Sequence, residues 1–191
     1  MSSVPVTLVQ SRDNAFAKDL RRLAQDSTAY RKQGRVWLEG DHLCRAALAR
    51  GLRPAVAVFS ESFWPLAPTE WAQCATKIIV LSDALFADIS ALESPAAMGY
   101  VLELPAPQPP DPQMPSVVLD RVQDAGNVGS ILRSAAAFGF GQVLALKGSA
   151  ALWSPKVLRA GMGAHFGLRL HEGLAVEDLQ ALRVPLLVTH V

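Results

Sequence analysis

An α/β fold in two successive units, each built on a mainly parallel sheet, is what this sequence predicts, and three observations predict it. Short apolar runs rich in Val, Ile and Leu alternate with segments of helical periodicity along the chain. The eleven residues 105–115, PAPQPPDPQMP, hold six prolines and interrupt that alternation; proline removes backbone donors and favours extended geometry. Beyond them, Val117 to Gly139 reads VVLDRVQDAGNVGSILRSAAAFG, an apolar run, a tight loop and a helix. The implied organisation is a first unit over 1–104, a linker over 105–115 and a second unit over 116–191.

Each element has a local reason. Asp13 or Asn14 suits the cap of a first helix in which Phe16, Leu20, Leu23 and Ala24 share a stripe, with Lys18, Arg21 and Arg22 outward. After a polar stretch with Arg31, Lys32 and Arg35, the run Val36, Trp37, Leu38 reads as a strand ending at Glu39. Asp41 is placed to cap a helix to Arg50, with Leu43, Cys44, Ala47 and Leu48 buried and Gly51 as its stop. Strands are expected over 55–59, 77–81 and 98–104, and helices over 68–75 and 83–89, the last capped by Ser82.

In the second unit, Val128, Ile131, Leu132, Ala135 and Ala136 fall within one arc at 100° per residue and make the buried face of a helix ending near Gly139 and Gly141. Strands follow over 142–146 and 166–170, separated by a helix that Ser154 caps with Pro155 at its first position. Residues 177–182 read as helical and 185–191 as a last strand. The whole is a partial Rossmann-like half-sheet.

Composition bounds the function. With 191 residues, half of them hydrophobic, and a net charge of +1, the chain folds rather than staying disordered. No apolar run reaches the roughly 18 residues of a membrane span, and the start MSSVPVTLVQSRDN lacks a secretory pattern, so a cytoplasmic protein with no membrane partner is expected. Cys44 and Cys74 are isolated, and neither a zinc site nor a disulfide framework is suggested; both read as small core residues. Charge is unevenly spread: ten basic residues face five acidic ones between Arg12 and Arg53, whereas Pro54 to Pro110 has only Lys77 against six acidic residues. A basic stripe is the minimum that an RNA partner needs.

At its organising stretch the sequence resembles the SpoU (TrmH-type) branch of the SPOUT RNA ribose 2′-O-methyltransferases. Asp120, Asp124, Ala125, Asn127, Gly129, Arg133 and Ala135 fit that family's first motif. Ser154, Pro155 and Lys156, then Arg159 to Phe166, fit a second block, with Gly161 where Ser is commoner. The resemblance implies a small α/β sandwich that binds substrate, followed by part of a SPOUT domain with a parallel sheet. It implies S-adenosylmethionine as methyl donor and RNA as substrate, ribosomal rather than transfer RNA. The later Gly-x-Glu and Ser-Leu-Asn segments, which in the family form most of the cofactor pocket, do not occur. The expectation is therefore an incomplete pocket, no cofactor-binding residues in this chain, an inactive chain on its own, and homodimers for the complete enzyme. The rival reading is a non-catalytic module that holds structured RNA or a ribosomal partner.

Asn127 and Arg133 are the candidate catalytic residues. Asn at a helix start is also a common cap, but a cation in the first two turns gains nothing from the helix dipole. By resemblance Arg133 grips ribose or phosphate oxygens through its planar donor fork. Arg31, Lys32, Arg35, Lys156 and Arg159 are the candidate RNA contacts. Asp120 and Asp124 read better as turn and cap acceptors than as a catalytic pair. Glu39 is expected to tie down backbone N–H groups. His42, His165, His171 and His190 have no metal-ligand spacing, and Trp37, Trp64, Trp71 and Trp153 read as core anchors.

Overall fold

A computed structural model describes residues 4–189. Five strands form one sheet in the order β1-β4-β3-β5-β2, from β1 (Val6–Val9), β2 (Arg35–Glu39), β3 (Val56–Ser60), β4 (Lys77–Leu81) and β5 (Met98–Glu103). β1, β4 and β3 run parallel, but β5 runs antiparallel to both β3 and β2. This sheet is therefore mixed rather than mainly parallel. Every residue of β3 is buried, as a central strand must be when both sheet faces are covered.

Asn14 caps α1 (Ala15–Gln25): its Oδ1 accepts from the N–H groups of Phe16 (2.9 Å) and Ala17 (3.3 Å). Ala17, Leu20, Leu23 and Ala24 then face the core. Two elements were not expected. β1 is a largely exposed edge strand, and α2 (Ala29–Gln33) is a single short helix within the polar stretch that buries Tyr30. Gly40 at φ 93°, not Asp41, occupies the cap position of α3 (Asp41–Ala49); Asp41 is its first residue and pairs with Arg45 at 2.7 Å. α4 (Thr69–Gln73) is short, and α5 (Asp83–Ile89) is capped by Ser82. Glu39 accepts from side chains, Trp37 Nε1 at 3.3 Å and Ser90 Oγ at 2.5 Å, instead of from backbone N–H groups. Cys44 and Trp37 lie in the core, while Cys74, Trp64, Trp71 and Trp153 are partly buried against it.

The second sheet is parallel throughout, β6 (Ser116–Leu119), β7 (Gln142–Leu146), β8 (Arg169–Leu174), in that order. α6 (Ala125–Ala137) and α7 (Pro155–Gly161) pack together over one face. β8 begins at Arg169 rather than Phe166, because residues 164–167 turn as a 3-10 helix. Residues 176–181 are likewise a 3-10 helix, and no strand forms over 185–189; the last two residues of that expected strand lie outside the described range.

The proline-rich segment is docked rather than hanging free. Gln142, fully buried, accepts from Asp111 N–H at 3.0 Å and donates to the Asp111 carbonyl at 2.8 Å and to Ser116 Oγ at 2.7 Å. The two sheets also share packing: Leu158 of α7 is buried in the core of the larger one, and Trp153 packs against both cores.

Candidate functional site

β6 and β7 both end in loops at the edge where α6 and α7 begin, which is where open α/β sheets place ligands. Asp120, at the end of β6, is held by Arg121 through two hydrogen bonds of 3.0 and 3.1 Å. Arg121 itself takes a left-handed backbone (φ 53°), so the chain reverses there. Asp124 then caps α6, its Oδ1 accepting the Asn127 N–H at 2.7 Å. Both carboxylates are thus acceptors in a turn, and Asn127 is released from capping, since Asp124 already does it. Its side chain is exposed in the first turn, and Arg133 is exposed one and a half turns further on. Six residues of helix separate the two by about 9 Å along the axis and about 120° around it. Asn127 lies in the first turn and Arg133 in the third, so the two share neither a turn nor a face.

α7 is placed by a close approach. A Cβ on Gly129 of α6 would lie 2.3 Å from Ala160 Cβ and 2.8 Å from the Gly161 nitrogen, so only glycine lets the helices meet this closely. At Gly161, a Cβ would fall 2.5 Å from Cε1 and 2.7 Å from Nδ1 of His165. The imidazole occupies the space that a larger residue at 161 would need. His165 is almost fully buried, with Nε2 2.9 Å from the Leu152 carbonyl and no partner on Nδ1. Burial pushes its pKa down to about 4. The ring is therefore neutral, with its proton on Nε2, donated to that carbonyl.

Between α7 and α1 lies a cleft of about 380 Å³ lined by Gln25 and Ser27 from the first unit and by Gln123, Ser154, Lys156 and Arg159 from the second. Lys156 is exposed and Arg159 half-buried, and no ion pair among the described residues uses either of them or Arg133. The cleft thus holds two uncompensated cations beside α6. No carboxylate lines it, which suits a phosphate and not a sulfonium cation.

Arg31, Lys32 and Arg35 do not line this cleft. Arg31 borders a wider hollow of about 960 Å³ under the linker, and its guanidinium pairs with Glu172 at 3.5 Å. Lys32 and Arg35 are exposed. Gln25, Ser27 and Gln123 are lining residues that the sequence did not single out; they are ordinary polar residues whose meeting depends on how the units pack. Among the described residues no cluster of His, Cys, Asp and Glu could hold a metal ion.

Residues 114–185 match the SpoU rRNA Methylase family and residues 14–99 the MRM3-like substrate binding domain. Residues 114–185 thus form a SpoU-family segment. The chain is 38% identical over 192 residues to the rRNA methyltransferase 3A, mitochondrial, of Danio rerio, covering 94% of this chain and 43% of that protein. It is 28% identical over 159 residues to the 23S rRNA (guanosine(2553)-2′-O)-methyltransferase RlmP of Bacillus subtilis (strain 168), covering 83% of this chain and 62% of the relative. The chain therefore spans under two thirds of the length of these curated relatives. Its fold is that of an AdoMet-bound rRNA methyltransferase from Sinorhizobium meliloti, with a TM-score of 0.75 at 23% identity over 92% of this chain and 68% of the other.

Proposed function

We propose that this chain contributes the RNA grip and the ribose-positioning residues of an S-adenosylmethionine-dependent RNA ribose 2′-O-methyltransferase acting on ribosomal RNA. The observation that carries the reading is the cleft itself: Lys156 and Arg159, without an ion-pair partner among the described residues, sit between two units at the ligand end of a parallel sheet, beside the helix that bears Asn127 and Arg133. Relatives named as rRNA methyltransferases, one of them a 2′-O-methyltransferase, support the reaction class over a purely binding role. The complete enzyme is proposed to be a homodimer.

Methyl transfer to a ribose hydroxyl needs its oxygen in line with the methyl carbon and its proton removed as the bond forms. S-adenosylmethionine supplies the electrophilic methyl group when bound. The cleft of this chain does not fit that cofactor, being lined by cations and no carboxylate, so its pocket is proposed to require further polypeptide. What this chain supplies is position. Lys156 and Arg159 hold backbone phosphates. Arg133 orients the ribose and stabilises negative charge developing on the 2′-oxygen, while Asn127 holds the ribose or the loop.

The test is methylation of 23S ribosomal RNA by the complete enzyme carrying Arg133→Lys. The charge remains but the planar fork is lost, and the turnover rate is expected to fall by roughly 10²-fold, the scale of losing one oriented charge-stabilising donor. Wild-type turnover in that variant would remove Arg133 from the mechanism.

A further inference from the structure

The polar contact that ties the two units together is centred on a residue to which nothing above assigns a role. Glu172, on β8 and mostly buried, accepts from Tyr30 Oη at 2.7 and 2.6 Å through its two oxygens and from the Leu152 N–H at 2.5 Å, and it pairs with Arg31 at 3.5 Å. Arg31 in turn donates from Nε to Tyr30 Oη at 3.2 Å and lies over the Tyr30 ring. Tyr30 is buried, and its hydroxyl pKa is raised by burial first and by Glu172 second, so it is a donor throughout. Two donors from α2, the Tyr30 hydroxyl and the Arg31 guanidinium, and one from the loop before α7 converge on a single carboxylate.

The position of Leu152 gives this knot its consequence. Two residues later Ser154 caps α7, and the neighbouring Ala150 and Ala151 line the cleft with Lys156 and Arg159. From the other side, α2 follows Ser27 and Gln25, which line the opposite wall. Fixing Leu152 against Tyr30 therefore sets the separation of the two cleft walls from behind. Trp153, half-buried against both cores, fills the space between.

We infer that Glu172 is a positioning residue for RNA: it holds the α1–α2 segment and the loop entering α7 in the one arrangement that lets Lys156 and Arg159 reach phosphates together with the first unit. It touches no substrate. By the same geometry Arg31 belongs to this tie, and the basic residues left free beside it are Lys32 and Arg35. The inference rests on the proposed RNA reading for its ligand and on the hydrogen-bond network for its geometry.

The experiment is a binding cycle on the 191-residue chain with a 23S ribosomal RNA transcript as the probe, read at several salt concentrations. Four proteins are compared: wild type, E172Q, the double variant K156A/R159A, and the triple variant. Losing two phosphate contacts should weaken binding about ten-fold or more and lower the salt slope by about two. E172Q is expected to cause a loss of similar size with the same drop in slope, and the triple variant to be no worse than K156A/R159A. Losses that multiply, or an E172Q slope equal to wild type, would overturn the inference, because a general loosening of the fold has no reason to act through those two cations. Y30F, which removes one donor and leaves the Leu152 and Arg31 contacts, should fall between wild type and E172Q, and it provides the same test if E172Q fails to fold. If wild type itself does not bind the transcript, the RNA reading fails. Amide exchange then judges Glu172 alone: E172Q must speed exchange at residues 150–159, and unchanged exchange there would overturn the positioning role.

Discussion

The two sheets solve the problem of burying apolar surface in different ways. Among the described residues the larger one has a core of thirty buried residues, all but Leu158 its own; the smaller has nine, and it leans on its neighbour through Trp153. β3 is buried at every position, whereas β8 is exposed or half-buried at all but His171. This contrast bears on where the proposed site is built. The self-sufficient unit provides a fixed wall, and the thinner unit, which carries Arg133, Lys156 and Arg159, gets its geometry from a helix contact and from ties to that wall. The energetic weak points of the molecule should then be the contacts that place α7.

The sharpest way to test this is Gly129→Ala. The added Cβ would meet backbone atoms of Ala160 and Gly161, which cannot rotate aside, so α6 and α7 must separate. Overpacking of this kind costs about 3 kcal/mol or more where the neighbours cannot move. The loss should appear in chemical denaturation, and amide protection should fall most in α6 and α7. A variant as stable as wild type would mean that the helix contact is soft and that the comparison drawn above is wrong.

The second prediction uses pH. His165 is held neutral by burial, with a folded pKa of about 4 against an ordinary value of about 6.5. The unfolded chain binds the proton first as pH falls, so the contribution is complete above about pH 6.5 and is lost progressively on the way down to about pH 4. Roughly 2 to 3 kcal/mol should disappear between pH 7 and pH 4.5. His171, also lowered by burial, adds in the same direction. Denaturation curves of His165→Gln should show a much flatter dependence over that window, with the His171 share remaining. An unchanged slope would mean that His165 is reached by water, and that the smaller core is looser than its packing implies.

How much of this was legible in the sequence follows from how local each signal is. β4 and β7 match the expected spans because each is an apolar run bounded by breakers, and Ser82 and Ser154 cap their helices because capping is decided within three residues. β1 escaped because it pairs with β4, some seventy residues away, and only Val9 of its four residues is buried, which leaves no alternating pattern to read. The antiparallel course of β5 leaves no mark in its own residues. At the site, the motif residues could be named from spacing, but their neighbours could not. Gln25 and Gln123 meet only because two units dock, and Tyr30 finds Glu172 across 142 positions of sequence. The exchange of bulk between Gly161 and His165 is intermediate: both residues lie in the second motif, yet only the structure shows one filling the other's space.

The smallest expected effect asks whether the two units behave as one. Asn14 caps α1 in the larger unit by accepting two N–H groups, and Asp124 caps α6 in the smaller by accepting one. Replacing either with Ala should cost about 1 kcal/mol, worth about 2 to 4 °C in Tm for a chain of this size. Because Leu158 is shared and Trp153 packs against both cores, the smaller unit has little reason to persist without the larger. Asn14→Ala should therefore lower the protection of α6 amides as well as those of β3, since unfolding the wall removes what the smaller sheet rests on. Asp124→Ala tests the converse. If the smaller unit can open alone, this variant speeds exchange over residues 125–161 and leaves 56–60 untouched, and the transition broadens. If both variants shift one common transition by similar amounts, the Glu172 tie and the shared core make the pair a single cooperative body, and the asymmetry between the sheets is one of construction rather than of stability.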